Sequence, residues 1–223
     1  MVLKSHMKKK PDSKIPIYQN PDWPAERRVR DLLARMTLAE KAAQMMCVWQ
    51  KKSETLTDAD GHFNLKKARA HFKSGHGLGQ VGRPSDAGKG KNAREMAELT
   101  NAIQKFFLEE SRLGIPVMFH EECLHGHAGI DSTSFPQPIG LAATFNSELV
   151  EKLYAMTAAE TRARGAHQAL TPVVDVARDP RWGRVEETFG EDPFLVSQLG
   201  IAAVRGFQGD ASFKNKNRVI ATL

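Results

Sequence analysis

Val29, Leu32, Leu33 and Met36 recur at the spacing that places side chains on one face of a helix, which predicts a first helix there. The next four residues, Thr37 to Glu40, have the S/T-x-x-E form of a capping box and predict a second helix start. Met45 to Trp49 is a run with the character of a buried strand. Residues 50–75 are polar and read as irregular. Leu78 to Val81 is a further short apolar piece, followed by a loop at 85–91 rich in glycine and lysine. From Asn92 to Glu110, Met96, Leu99, Ile103 and Phe106 again keep helical spacing, and Gly114 and Pro116 lead into the strand-like run at 117–119. A helix is predicted from Ser147 to Arg164, stopped by Gly165, and is followed by the apolar run 170–176. Asp192 and Pro193 supply an N-cap and a first helical residue for a helix carrying Leu195, Leu199 and Ala202, and 219–223 reads as one more strand.

Helices alternating with short, fully apolar strands imply crossover connections and a parallel sheet covered by helices. The fold class expected is therefore α/β, with five strand candidates. A closed barrel of eight such units takes about 250 residues, so a chain of 223 residues ending on a strand reads as the N-terminal part of a TIM-like (β/α)8 barrel that continues beyond residue 223. A doubly wound sheet is the competing architecture. It lacks support from any G-x-G-x-x-G after a strand.

The composition, 41% hydrophobic and 26% charged, is that of an ordinary globular chain, and apolar stretches are broken well before the ~18 residues of a membrane span. The net charge of +6 at first suggests a nucleic-acid partner. Its location removes the suggestion: residues 1–14 carry five lysines against Asp12, a net of +4, and leave only +2 for the rest. Residues 1–14 read as a basic, tag-like tail in which Ser5, His6 and Met7 resemble a cloning remnant, and 15–223 as the barrel domain. The absence of an apolar leader leaves the compartment open. Cys47 and Cys123 form no CxxC pair and read as buried free thiols.

In parallel α/β folds the residues just past a strand's C-terminal end face the site. After the strand at 117–119 stand His120, Glu121, Glu122, His125 and His127. The zinc-protease pattern H-E-x-x-H fails here, because position 124 is leucine and the next histidine is at 125. A different metal site using His120, His125, His127 and a carboxylate is a rival reading, against histidines hydrogen-bonded inside a barrel rim. Adjacent residues of an extended segment point to opposite faces, so of Glu121 and Glu122 one is structural and the other is free to grip hydroxyls. Residues 178–193 concentrate three arginines and several carboxylates around Trp182. They form either an ion-paired scaffold loop or a ligand loop, in which a guanidinium fork presents fixed donors and Trp182 packs under a sugar face.

Three stretches then carry a specific likeness: RLGIPVMFHEECLHG at 112–126, TSFPQPIGLA at 133–142 and RDPRWGRVEETFGEDP at 178–193. In this order they resemble glycoside hydrolase family 3, the β-glucosidase and β-xylosidase family, over the span from Val29 to the end. The resemblance implies a TIM-like barrel followed by an α/β sandwich, acting together as a retaining exo-β-glycosidase with two carboxyl groups roughly 5 Å apart. It implies no catalytic residue within these 223: the family's nucleophilic Asp lies on a later strand, its acid/base on the second domain, and its Lys-His pair just after residue 223. Carried over by position, the substrate-binding residues are Glu122 for ring hydroxyls, Arg184 for the same ring and Glu187 to orient Arg184. Many glucose-cleaving members carry Asp where this chain has Glu122, and the extra methylene occupies the place of a hexose hydroxymethyl, which favours a pentose. The implied function is a β-glucosidase removing terminal β-D-glucosyl residues, with β-xylosidase as the alternative. Rivals are a non-catalytic carbohydrate-binding segment and the His/Glu metal-dependent hydrolase. No cofactor and no metal are implied. The partner expected is an oligosaccharide or β-glycoside, with a homodimer as the candidate assembly and neither nucleic acid nor membrane; periplasm or extracellular space is favoured over cytoplasm.

Overall fold

The structure, a computed structural model, describes residues 15–223. The basic tail 1–14 lies outside the described residues. Two compact units divide after Ala43. In the first, α1 (Ala25–Arg35) begins four residues before the apolar spacing at Val29 and stops short of Met36, and α2 (Leu38–Ala43) starts where the capping box places it. Glu40 N donates to Thr37 Oγ1 at 3.2 Å and Thr37 N to a Glu40 oxygen at 2.8 Å, which satisfies two orphan amides reciprocally. Asp31 accepts from Tyr18 N and from Arg35 Nε, tying the residues before α1 to the helix.

The second unit runs β1 (Cys47–Val48), α3 (Lys52–Thr55), α4 (Leu65–His71), β2 (Gln80–Gly82), α5 (Ala93–Glu110), β3 (Met118–Glu121), α6 (Pro138–Ala142), α7 (Ser147–Ala163), β4 (Gln168–Ala169), α8 (Pro193–Gln208) and β5 (Ile220–Ala221). All five strands are parallel and lie side by side in sequence order. That order decides between the two architectures. A doubly wound sheet reverses its strand order to place helices on both faces, whereas sequential order with right-handed crossovers sends every helix to one face. The sheet is the arc of a TIM-like barrel.

The pleat assigns the two faces. Val81 and Phe119, with Val48 partly buried, pack outward on Met96, Leu99, Ile103, Phe106 and Phe107. A second apolar cluster joins Val150, Leu153, Tyr154 and Ala158 of α7 to Val196, Leu199, Ala203 and Phe207 of α8. The inner face carries Gln80, Gly82, His120 and Gln168 and is polar: Gln80 Oε1 lies 3.0 Å from His120 Nδ1, and Gln168 Nε2 donates to Thr222 Oγ1 at 2.6 Å.

Four expectations need correction. Residues 50–75 contain α3 and α4, which are too short and polar for periodicity to reveal. The strand expected at 170–176 pairs only at Gln168–Ala169. Beyond it Pro172 has no N–H to give the ladder, and the chain leaves the sheet extended. The run at 45–49 is not buried: Met45 is 88% exposed and Cys47 is also exposed, so of the two thiols only Cys123 is covered. Finally, α6 went unforeseen.

Candidate functional site

Glu121 closes β3, Glu122 follows it, and the two part company there. Glu121 turns to the outer side, fully buried, and its carboxylate accepts from Ser85 N at 2.8 Å and lies 2.6 Å from Ser85 Oγ. Burial pushes it up to about 7, against the pull of those two hydrogen bonds. Glu122 is half-buried and lines a hollow of about 220 Å³ with Leu124, His125, Gly126, Ala128, Arg184 and Glu187. Burial raises its pKa and Glu187 adds to this, while the positive charges of Arg83 and Arg184 oppose.

The loop after β3 is held from behind. Ala128 N donates to Glu122 O at 2.9 Å and Tyr154 Oη to Leu124 O at 2.8 Å. Buried Arg164 donates to Ile130 O and Asp131 O and pairs with Glu160. The histidines go separate ways: His120 faces Gln80, His125 Nδ1 lies 3.3 Å from Ser134 Oγ, and His127 Nδ1 lies 3.3 Å from Thr161 Oγ1. Burial lowers His127 to about 4, the Arg164 charge adding to the effect. Among the described residues no three His, Cys, Asp or Glu side chains converge as metal ligands, so the His120, His125 and His127 centre is not assembled.

From the other loop, Arg184 reaches Glu187 through Nε at 3.0 Å and Nη2 at 2.6 Å. The three residues singled out for substrate, Glu122, Arg184 and Glu187, are thus brought to one hollow. Their loop-mates are not: Arg181 is exposed and paired with Asp179, and Arg178 lines a separate, largely apolar hollow beside Ile139 and Phe145. A larger apolar hollow of about 670 Å³ lies between α8 and the 174–176 segment, without converging polar groups beyond Arg205 and Ser197.

Two further residues occupy strand ends on this face. Trp49 follows β1, and Arg83 follows β2 with its guanidinium carbon 5.8 Å from the Trp49 ring centroid. Lys52, nearly buried, donates to Trp49 O at 2.7 Å and Gly82 O at 2.9 Å and pairs with Asp86 at 2.7 Å, clamping the two strand ends together. Gly82 leaves room for this ring: a Cβ would lie 2.6 Å from His120 Nε2 and force the imidazole to shift. The signal that could have found Arg83 is positional. The strand-end rule that pointed to the stretches carrying Glu122 and Arg184 applies equally to the residues after the run at 78–81, of which Arg83 is the second.

The glycosyl hydrolase family 3 N-terminal domain matches residues 37–223. A putative β-xylosidase of Formosa agariphila is 36% identical over 86% of this chain and 25% of its own length. A periplasmic β-glucosidase/β-xylosidase of Dickeya chrysanthemi is 33% identical over 95% of this chain and 33% of its own. Among solved structures, a β-glucosidase from Erythrobacter marinus superposes with a TM-score of 0.80 at 33% identity, covering 92% of this chain and 26% of that one. The chain therefore spans about a quarter to a third of the relatives it matches, and it belongs to glycosyl hydrolase family 3.

Proposed function

We propose that this chain forms the sugar-binding part of a retaining exo-β-glycosidase that releases terminal β-D-glucosyl residues. The observation that carries the reading is the meeting of Glu122, Arg184 and Glu187 around one small hollow past the ends of the strands. An ionised Glu122 accepts two hydroxyl hydrogen bonds, and Arg184, its fork aimed by Glu187, donates to the same ring. We assign neither the nucleophile nor the acid/base to these residues. Burial of Glu122 raises its pKa and strengthens each hydrogen bond it makes, while the charges of Arg83 and Arg184 oppose that rise.

β-Xylosidase activity is the second reading, favoured by the length of Glu122 and by relatives that bear that name. Comparison of kcat/KM for nitrophenyl β-glucoside and β-xyloside in the polypeptide carrying this chain separates them. Glu122→Asp raises the glucoside to xyloside ratio by about tenfold or more, one methylene of pocket space being worth ~1–3 kcal/mol. An unchanged ratio removes Glu122 from specificity. Sugar binding without turnover marks a carbohydrate-binding protein, and loss of activity in EDTA marks a metal-dependent hydrolase. The periplasmic description of the Dickeya chrysanthemi relative supports a periplasmic or extracellular setting.

A further inference from the structure

Arg83 holds a conformation that its side chain makes costly. Its φ of 47° and ψ of 60° lie in the left-handed region, where a Cβ crowds the backbone and which glycine enters freely. The strain has a geometric result. An extended residue at 83 would share the outer, helix-facing side with Val81. The left-handed turn instead brings the guanidinium over Trp49, whose Cβ lies on the inner side beside Gly82. The surroundings hold this turn in place: Arg83 N donates to His120 O at 2.8 Å, Pro84 follows, and Lys52 fixes the carbonyl of Gly82 while pairing with Asp86.

The guanidinium itself is underused. Its Nε lies 3.4 Å from Asp86 Oδ2 as an ion pair that falls short of a hydrogen bond, and among the described residues no hydrogen bond engages the side chain. About a third of it is exposed. Strand order places β3 between β2 and β4, so Arg83 approaches Glu122 from the side opposite the loop of Arg184. Its charge acts on Glu122, and also on Glu121 and His120. Strain maintained by several independent contacts around a polar group with free donors is the pattern of a binding position.

We propose that Arg83, which stands outside the lining of the Glu122 hollow at the neighbouring strand end, is a second cationic binding residue at its β2 side, donating to ring hydroxyls of the bound glycoside across from Arg184, with Trp49 beneath its guanidinium. The proposal rests on the glycosidase reading above. Its test uses Arg83→Gly and Arg83→Lys in the polypeptide carrying this chain, with thermal melting, KM and kcat for nitrophenyl β-glycosides, and calorimetric binding of D-glucose and D-xylose.

Glycine relieves the backbone, so Arg83→Gly melts at or above the wild-type temperature while KM and the sugar dissociation constant rise about ten- to a hundredfold, the loss expected for charged hydrogen bonds. Arg83→Lys, which keeps the charge beside Asp86 and guards against a folding failure, binds several-fold more weakly than wild type because the fork is gone. A lowered melting temperature with unchanged KM and sugar affinity in either variant marks a purely structural arginine and overturns the inference alone. Wild-type protein that neither binds nor cleaves β-glycosides overturns the glycosidase reading and this one with it.

Discussion

Glu121 and Glu122 are chemically identical neighbours that the pleat sends to opposite sides of β3, and their environments then set them apart. Glu121 is sealed behind the sheet against Ser85, where its charged form is disfavoured and its pKa rises from 4.5 to about 7. The unfolded chain therefore binds fewer protons than the folded one between those values, and this carboxyl lowers stability as pH rises through that window. His127 and His167 act in the opposite sense: both fall from 6.5 to about 4 through burial, so their contribution is lost as pH falls through that range. The Glu121→Gln variant isolates the acid, since its amide still accepts from Ser85 N and donates to Ser85 Oγ. Its stability relative to wild type is expected to increase from pH 4.5 to pH 7.5 by about 3 kcal/mol, as read by urea unfolding. A constant difference across that range would assign the proton elsewhere.

At the scale of elements, the helices with strong local signals form as their residues direct. Asn92 and Glu95 close a reciprocal cap on α5, and Asp192 caps α8 at Leu195 N with Pro193 at the first helical position. Gly165, at φ 101°, follows the end of α7. What joins α7 to α8 was invisible in the periodicity: Gly206 lets the two helices approach so closely that a Cβ there would lie 2.5 Å from Glu151 O and 2.8 Å from Tyr154 Cβ. Gly206→Ala gains helix propensity but forces backbone apart in the buried cluster around Tyr154 and Phe207. It is expected to destabilise by ~1–3 kcal/mol in chemical unfolding. An equal or higher stability would mean that the helices can separate at no cost. The strands misled more than the helices. Each pairs over only two to four residues, so a run such as 170–176 looks like a strand even though its ladder ends before Pro172.

For the whole molecule, strand order matters more than strand identity. Cys123 lies just past the central β3 beneath α7. Burial pushes the Cys123 thiol far above its ordinary range. A thiol reagent at pH 8.5 is expected to label Cys123 only on unfolding; labelling of Cys123 in the native state would contradict this packing. The α/β class and the longer helices were legible because they rest on local spacing, whereas Glu122, Arg184 and Glu187 were singled out by the family resemblance of motifs contiguous in sequence, and their binding role is the reading proposed above. Arg83 and Trp49 were not legible, since their significance depends on β1 and β2 lying beside β3. The amino-acid sequence by itself determined the longer helices and which loops are polar enough to carry chemistry, because capping, propensity and hydrophobic period act over a few residues. The barrel arc and Glu122 were already expected from chain length and from the family resemblance; only the tertiary structure decided how deeply each of the two adjacent glutamates is buried and that Arg83 stands near them, because those outcomes depend on pairing and burial between residues tens of positions apart.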